Sequence, residues 1–233
     1  MKSLSLGAAE LWYALPGVAT GGNAALVATA QSRQLAWDWR FASATYADFK
    51  GAPRGIEASA TVMNTSEAQA LIREIKASAS GVSEEQAARY AIAAIESGTA
   101  VPTVRTVQAG ETLYKVVPRG AAPSETTAYW MSAPQAVAIS KMSVEDAARV
   151  LGLPAEQLQS ARNAGGFDYF SLTLKPGQTA TVFESTVAST AQRMFSQSGG
   201  AKQTIVPNRN QWAEPVKIDI QPGRSIVAPR VGG

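Results

Sequence analysis

The feature that most constrains the fold is a change in hydrophobic periodicity near residue 100 of the 233-residue chain. Before that point apolar residues recur about every 3.6 positions, as in helices that bury one face. After Pro102 they gather in short β-branched or aromatic runs bounded by glycine, proline or asparagine, which is typical of strands. The sequence therefore predicts an α+β protein, with a helical segment over 1–100 and a domain over 101–233 whose sheet, whole or split, is mainly antiparallel.

Two capped helices are predicted in the first segment. They follow a long alanine-rich helix over residues 23–49, which ends at the glycine- and proline-rich stretch 51–55. The stretches 66–69 (Ser-Glu-Ala-Gln) and 83–86 (Ser-Glu-Glu-Gln) both have capping-box spacing, in which a serine and a glutamine three residues later cap the first turn. A glycine follows each apolar face and favours the end of the helix. The pattern indicates a helical hairpin.

The second segment contains a series of short predicted strands and one short helical pair. Ser143 and Pro154 are placed to begin the two helices of that pair. Pro176 and Gly177 fit a type II turn, so a β-hairpin is predicted between the strands on either side of it. The predicted strands cover residues 104–107, 113–117, 127–131, 167–174, 179–183, 204–206 and 216–220.

The chain contains neither histidine nor cysteine. Without cysteine it has no disulfide, no thiolate zinc site and no cysteine nucleophile. Without histidine, Ser-His-Asp hydrolysis, two-histidine ribonuclease chemistry and HExxH metalloproteolysis are excluded. The net charge of +3 and the pI near 9.2 permit a nucleic-acid or phosphate-bearing partner without requiring one.

The most apolar stretch near the N-terminus, residues 11–27, is interrupted by Pro16 and three glycines. A membrane-spanning helix needs about 20 consecutive apolar residues. The sequence therefore predicts no stable membrane span.

A predicted strand that ends in two cations, Lys115 and Arg119, is the first candidate for a binding site. If alternate side chains face the core, Lys115 shares a face with Leu113 and Val117 and points inward. A cation among apolar neighbours usually meets a phosphate, a carboxylate or solvent. The alternative is a lysine at a strand edge that opposes aggregation.

Glycines and aromatic residues mark two further candidates. Gly199 and Gly200 precede Gln203, and consecutive glycines let backbone amides approach a phosphate; the alternative is a simple hairpin turn. Tyr129 and Trp130 are adjacent on a predicted strand and so point to opposite faces, one suited to the core and the other to a groove.

The loop 207–212 and the acidic residues complete the candidates. This loop holds Arg209 and Trp212, and it either stacks a base or folds Trp212 back as a lid on the core. Glu184, just after a predicted strand, is the acidic residue best placed for chemistry. No cluster has metal-ligand spacing, so neither a metal site nor a permanently bound cofactor is predicted.

In order and spacing, four stretches of the C-terminal half resemble the C-terminal tips of bacterial polymorphic toxins of the filamentous-haemagglutinin and contact-dependent-inhibition type. The resemblance spans roughly residues 108–220, and residues 1–100 correspond to the variable helical pre-toxin segment, which is often implicated in import into the target cell. It implies secretion or delivery from the cell surface, action in the target-cell cytoplasm, an inner-membrane receptor for import, and a cognate immunity protein with an acidic surface. The stretches are 113–116 (Leu-Tyr-Lys-Val), 128–132 (Ala-Tyr-Trp-Met-Ser), 182–188 and 199–212.

Among such toxins, these strands and the glycine-rich segment before a glutamine are similar to NAD-consuming toxins with an ADP-ribosyltransferase-like fold. The resemblance implies that Lys115 binds the pyrophosphate and that Gln203 binds the ribose hydroxyls as the glycosidic bond breaks. NAD is then a substrate. The implied catalytic residues are Lys115, Ser132 and Gln203, and the implied substrate-binding residues are Tyr129, Trp130, Arg119, Gly199, Gly200 and Arg209.

This chain departs from the family at one position. The family has arginine where this chain has Lys115, and a lysine cannot bind a phosphate bidentately. Arg119 is therefore the alternative cation for the same role.

Two other functions remain open. A toxin ribonuclease acting on transfer RNA would bind the RNA backbone with basic residues and take its catalytic groups from lysine, arginine, threonine or a carboxylate. The stretch 106–113 (Thr-Val-Gln-Ala-Gly-Glu-Thr-Leu) resembles the opening of a LysM glycan-binding module, which is not an enzyme. The basic residues suited to RNA are Lys202, Arg209, Lys217, Arg224 and Arg230.

Overall fold

The computed structural model describes residues 51–124, 127–192 and 195–220. The helix predicted over 23–49 and the basic residues beyond 220 lie outside these ranges. Within them the protein has the expected α+β architecture, with helices packed against antiparallel sheets. The helices are α1 (Ala60–Met63), α2 (Ser66–Ser78), α3 (Glu84–Glu96), α4 (Ala133–Ser140), α5 (Val144–Val150) and α6 (Ala155–Asn163).

The strands form three antiparallel sheets, in the orders β1-β7-β8, β10-β5-β3 and β2-β6-β9-β4. We call them the β7 sheet, the β5 sheet and the β6 sheet, each after one of its inner strands. Each predicted strand is present, although 127–131 is reduced to two paired residues. The strands are β1 (Gly51–Arg54), β2 (Thr103–Val107), β3 (Thr112–Pro118), β4 (Tyr129–Trp130), β5 (Phe167–Thr173), β6 (Ala180–Thr186), β7 (Ser189–Gln192), β8 (Phe195–Gln197), β9 (Lys202–Ile205) and β10 (Val216–Ile218).

All the helices of the described ranges are short. The longest, α2 and α3, have 13 residues each. A helix of that length rises about 20 Å, whereas the apolar part of a bilayer is about 30 Å thick. No helix in the part of the chain that the structure describes is long and apolar enough to cross a membrane.

Side-chain caps begin both helices of the predicted hairpin. Ser83 and Gln86 form the predicted capping box at the start of α3, each side chain bonding the other residue's amide. The cap of α2 is Thr65 rather than Ser66, and the Thr65 hydroxyl accepts a hydrogen bond from the Ala68 amide at 3.3 Å. Ser66 already lies inside the first turn, where its hydroxyl cannot replace the missing backbone acceptor.

The helical hairpin and the β6 sheet share one core cluster. Leu71 of α2 and Ile95 of α3 are fully buried together with Phe183 of β6 and Ile205 of β9. Burying each such side chain stabilises the fold by about 1.5–3 kcal/mol. The change in composition near residue 100 therefore falls within a shared core, and the functional division into 1–100 and 101–233 stays a prediction.

The turn at Pro176 and Gly177 forms, but the hairpin prediction is wrong. Gly177 has a φ of +71°, which glycine adopts readily. The strand before the turn, β5, pairs with β3 and β10, whereas the strand after it, β6, pairs with β2 and β9. Leu172 of β5 and Val182 of β6 are buried in the same cluster. The two strands thus pack face to face across two sheets instead of pairing edge to edge.

The sequence pattern gives no signal for four elements. β1 pairs with β7 along all four of its residues, although Gly-Ala-Pro-Arg has the composition of a helix breaker and not that of a strand. β7 and β8 are largely polar and pair with each other. α4 has no side-chain cap, although it carries a proline in its first turn. Backbone pairing and tertiary packing decide these elements, because local propensity is weak there.

The β5 sheet and the β6 sheet meet at an antiparallel bridge between Tyr114 of β3 and Met131, which follows β4. The amides and carbonyls of these two residues exchange hydrogen bonds of 2.8 and 2.7 Å. No other bridge joins β3 to β4 within the described ranges. The sheet is therefore split beside Tyr114, and the candidate site lies at this split.

Candidate functional site

Lys115 lies where the two sheets separate. It follows Tyr114 on β3 and is half-buried, and its Nζ donates a hydrogen bond to the Tyr129 carbonyl at 2.9 Å. The same Nζ lies 5.9 Å from the centroid of the Trp130 ring, which is a cation–π distance. The lysine that the strand pattern points inward therefore contacts a backbone carbonyl and an indole ring of β4.

Lys115 and Gln203 line one small cavity, which we call the inner cavity. Its volume is about 60 Å³, which is room for a few water molecules. Trp130 and Lys202 also line it. The fold thus brings the cation of the first strand and the amide of the late strand to a common cavity, although 88 residues separate them in sequence.

Gln203 is held by a buried hydrogen-bond network. The side chain is 5% exposed, and its Nε2 donates to the hydroxyls of Ser185 at 2.8 Å and of Ser97 at 3.0 Å. The Ser97 hydroxyl in turn donates to the Ala94 carbonyl at 2.7 Å. The amide nitrogen is therefore engaged by the protein, and two hydroxyls fix the orientation of the side chain.

The inner cavity has a cationic wall. Lys202, the first residue of β9, is exposed, and its Nζ donates to the Thr186 hydroxyl at 2.8 Å. Lys115 supplies the second cation. No residue of the described wall is aspartate or glutamate. Two ammonium groups without a carboxylate favour an anionic ligand at this position.

A larger cavity of about 400 Å³ adjoins the inner one, and we call it the outer cavity. The two cavities share Lys115, Val116 and Leu153 in their walls. The volume lies within the range of small-molecule pockets, about 300–1,000 Å³. We call these two neighbouring cavities together the cleft, and Lys115 borders both of them.

Arg119 does not line this cleft. It is exposed after β3 and borders a third cavity with Asp168 and Lys217. The Nζ of Lys217 and the amide of Gly120 donate to the Asp168 carboxylate at 2.7 and 2.9 Å, and these bonds, with the cationic charges nearby, lower the pKa of Asp168. Arg119 therefore lies in a different place from the cation that it was expected to replace, Lys115.

Gly199 and Gly200 form a turn whose amides are already used. Their φ angles are +68° and +103°. The Gly199 amide donates to the Arg149 carbonyl at 3.0 Å, and the Gly200 amide donates to the Val187 carbonyl at 2.9 Å. The turn alternative therefore describes these glycines, and the structure gives no support to a phosphate cradle formed by their amides.

Tyr129 and Trp130 point to opposite sides of β4, as expected, but both belong to the core. Tyr129 packs in the cluster of the helical hairpin and Trp130 in the cluster of Leu172, and the two are 7% and 2% exposed. Little ring surface is left to stack on a ligand. Ser132 is exposed, precedes α4 without making a capping bond, and does not line either cavity of the cleft.

Arg209 stacks on Trp130. Its guanidinium carbon lies 5.0 Å from the ring centroid, and its Nε and Nη1 are buried without a hydrogen-bond partner among the described residues. Burial lowers the pKa of Arg209, an effect that the charge of Glu214 opposes. Trp212 of the same loop is 3% exposed and lies in the core. The loop therefore folds back as a lid.

Glu184 belongs to a surface ion-pair network rather than to the cleft. Arg105 donates to Glu184 and to Glu111, with 2.6 Å between nitrogen and oxygen in both pairs, and these bonds raise the pKa of Arg105. Glu184 does not line either cavity of the cleft. In the described ranges, no group of three or more acidic side chains is placed to hold a metal ion.

The stretch 106–113 does not fold as a LysM opening. Residues 108–111 form a turn, and β3 begins directly afterwards at Thr112. The short helix that such a module needs is not found between 108 and 118.

Sequence reasoning missed several polar residues of the cleft. Gln157 and Ser160 line the outer cavity from α6, where a spacing of three residues places them on one helix face, and Thr127 lines it from the segment before β4. On a short helix, polar residues with this spacing usually indicate a face that is exposed to solvent. Lys202 was singled out only as a basic residue suited to RNA, although it directly precedes Gln203 at the end of the glycine turn.

No protein-family model matches the chain, and no curated protein matches it either. Two solved structures are partly similar. Rhs1-CT in complex with the cognate immunity protein RhsI1 has 15% sequence identity and a TM-score of 0.34, over 54% of this chain and 88% of that chain. Tse6 in complex with Tsi6 has 16% identity and a TM-score of 0.33, over 64% of this chain and 98% of that chain. At these TM-scores neither similarity defines the fold or the function of this chain.

Proposed function

We propose that the chain is a bacterial toxin domain that intoxicates competing cells by consuming NAD, through hydrolysis or ADP-ribosyl transfer. The single observation that carries the proposal is the common cavity of Lys115 and Gln203. The toxin resemblance requires these two residues to meet, and nothing in their local sequence brings them together.

The chemistry assigned to the cleft is electrostatic. Lys115 holds the pyrophosphate as a single point charge, assisted by Lys202 in the same wall. Gln203, fixed by Ser97 and Ser185, positions a ribose hydroxyl while positive charge develops on the sugar. A rigid amide suits this role because no reorganisation is needed as the glycosidic bond breaks.

We limit the residues proposed for this reaction to Lys115, Gln203 and Lys202, which line the inner cavity. Tyr129 and Trp130 also line it, but their rings are buried in the core and leave little surface for a ligand. Arg119 and Ser132 lie outside the cleft walls, and the amides of the glycine turn are bonded to backbone carbonyls. We assign these residues no contact with the substrate.

The first test is release of nicotinamide from NAD by the purified chain. Lys115→Met keeps the length of the side chain but removes its charge, so we expect release to fall roughly 100-fold, the typical effect of losing one transition-state donor. Lys141→Met is the matched control, because Lys141 is exposed after α4 and does not line the cleft. No release by the parent chain, or equal release by both variants, would contradict the proposal.

We also propose a cognate immunity protein as partner, with delivery into the cytoplasm of the target cell. Rhs1-CT, one of the partly similar proteins, is bound to such a partner. The cationic cleft and the net charge of +3 fit an acidic inhibitor surface. A small reading frame beside the gene, whose acidic product binds the chain and suppresses its toxicity, would support this assignment, and a product that binds without protecting cells would count against it.

The residues of the cleft give less support to the ribonuclease alternative. Cleavage of RNA needs a general acid and a general base, and the described walls of both cavities hold no carboxylate while the chain holds no histidine. Transfer-RNA cleavage that persists in Lys115→Met would favour this alternative over NAD consumption.

A further inference from the structure

The third cavity, which Arg119 borders together with Asp168 and Lys217, lies at the edge of the β5 sheet, and we call it the edge cavity. Its volume is about 430 Å³. The strand that lines it, β10, is an outer strand of that sheet, and no strand of the described ranges pairs with its other side. The unpaired edge of a strand is a place where a segment of another polypeptide can bind.

Arg119 is positioned at this cavity but makes no internal ion pair. Its amide donates to the Gly166 carbonyl at 2.9 Å, and a β-carbon on Gly166 would lie only 3.1 Å from its Nη2. The guanidinium group therefore lies over a glycine that leaves room for it. No described residue accepts a hydrogen bond from this group, whereas the exposed Arg149 and Arg162 both pair with acidic residues of the chain.

The cavity's other cation is already matched. Lys217 Nζ and the Gly120 amide donate to the Asp168 carboxylate at 2.7 and 2.9 Å, so Asp168 binds these donors and not Arg119. Arg119 is thus the cation of the described wall that no carboxylate binds. The planar fork of a guanidinium group suits a carboxylate, which it can bind through two parallel hydrogen bonds.

The rest of the surface favours a protein over a nucleic acid. Phe167 and Tyr169 line the cavity and are half-buried, so part of each ring is exposed. Val216 of β10 is 51% exposed, the highest value among the exposed large hydrophobic side chains of the described ranges. Arginine and aromatic residues beside apolar ones are typical of protein interfaces. The carboxylates of Asp168 and Asp219 in the same wall would repel a phosphate backbone.

The edge cavity borders the cleft. Phe167 lines both the edge cavity and the outer cavity. Pro118 lines the outer cavity and directly precedes Arg119 in the chain. A protein bound along β10 therefore lies beside the outer cavity, where its bulk would hinder the entry of a ligand.

We propose that the edge cavity and β10 form the docking surface of a protein partner that places an aspartate or glutamate against Arg119 and apolar side chains against Val216 and Tyr169. The identity of this partner as the immunity protein rests on the proposed function. Inhibition then comes from obstruction beside the cleft, and the partner need not insert any group into the cleft itself.

The probe is the acidic protein encoded by the reading frame beside the gene, titrated calorimetrically into the purified full chain. Arg119→Gln should weaken binding roughly 30-fold, because a carboxylate of the partner loses its bidentate donor. Arg119→Lys keeps the charge without the fork and should recover part of this loss. Arg73→Gln is the matched control, since it removes the same charge from an exposed position of α2.

A second pair of variants tests the strand edge. Val216→Asp puts a carboxylate where we expect the partner's apolar and acidic groups, so it should weaken binding about tenfold. Val104→Asp is the matched control, because Val104 is 44% exposed on β2, an outer strand of the β6 sheet. Both positions are exposed, so circular dichroism should show that both variants fold as the parent does.

The outcomes separate the docking surface from the reaction. If the probe binds Arg119→Gln and Val216→Asp as tightly as the two controls, the docking surface is overturned and the proposed toxin activity is unaffected. If NAD is not consumed but binding depends on Arg119 and Val216, the surface stands and the proposed reaction fails. If the probe does not bind the parent chain, or if transfer RNA or a second copy of the chain binds in its place and is lost in Arg119→Gln, the docking proposal is overturned.

Discussion

Gln203 and Arg209 are polar side chains only six residues apart, the first buried and the second partly buried, and they are held in different ways. Gln203 makes hydrogen bonds to two hydroxyls and borders a cavity. Arg209 packs its guanidinium on Trp130 and leaves Nε and Nη1 without partners in the described part of the chain. The first is positioned by directional bonds, and the second is held by packing.

The difference shows which of the two is suited to chemistry. A group that is fixed by directional bonds beside a cavity is already in place when a ligand arrives. A partly buried guanidinium with two unpartnered nitrogens carries a desolvation penalty, which lowers the pKa of Arg209 although the charge of Glu214 opposes the effect. The contrast can be tested by the sign of the stability change at each position.

The largest expected effect is at Gln203. Gln203→Leu removes the donor to the buried hydroxyl of Ser97 and the partly buried hydroxyl of Ser185, so the free energy of unfolding should fall by about 1–3 kcal/mol. Urea unfolding followed by circular dichroism measures this change. A loss below about 0.5 kcal/mol would mean that the network does not hold the side chain.

An intermediate effect is expected at Asp168, whose carboxylate forms an ion pair with Lys217. The pKa of Asp168 is lowered in the folded protein, so its contribution to stability is present above the unfolded pKa near 3.9 and is lost as the pH falls through the lower folded value. Asp168→Asn should therefore reduce the difference between the unfolding free energies at pH 7 and pH 3, by at most about 1 kcal/mol. An unchanged difference would show that Lys217 and Gly120 do not stabilise the charge.

The smallest effect, of opposite sign, is expected at Arg209. Arg209→Met keeps much of the apolar contact with Trp130 and removes a partly buried charge whose Nε and Nη1 have no partner among the described residues, so the free energy of unfolding should stay constant or rise by up to about 1 kcal/mol. Thermal and urea unfolding of this variant beside Gln203→Leu give the comparison directly. A loss of 2 kcal/mol or more would show that the cation–π contact outweighs the desolvation penalty, and the contrast between the two residues would disappear.

The sequence predicted the helices and strands better than the way in which they pair and pack. Periodicity and capping chemistry located α2, α3 and most strands, because these depend on neighbours a few residues apart. The partner strands of β5 and of β6 could not be predicted in this way, because the same turn can join two strands of a hairpin or two strands in different packed sheets. β1 depends on contacts with a strand about 140 residues away, and its own sequence opposes the assignment.

The candidate site was partly accessible to sequence reasoning. Lys115 and Gln203 could be singled out because a resemblance linked them, and the fold brings them to one cavity. Thr127 and Gln157 could not, because a threonine in a loop and a glutamine on a short helix have no distinctive pattern. Their importance comes from the shape of the space between β3 and α6, which only the packing determines.

The hydrogen bond between Lys115 and the Tyr129 carbonyl holds the ammonium group in place before any ligand arrives. An ammonium group has three N–H donors, so an anion need not displace the carbonyl that accepts one of them at 2.9 Å. A lysine that is tethered to the backbone loses less side-chain freedom on binding an anion than an untethered surface lysine does. This hydrogen bond is therefore a form of preorganisation.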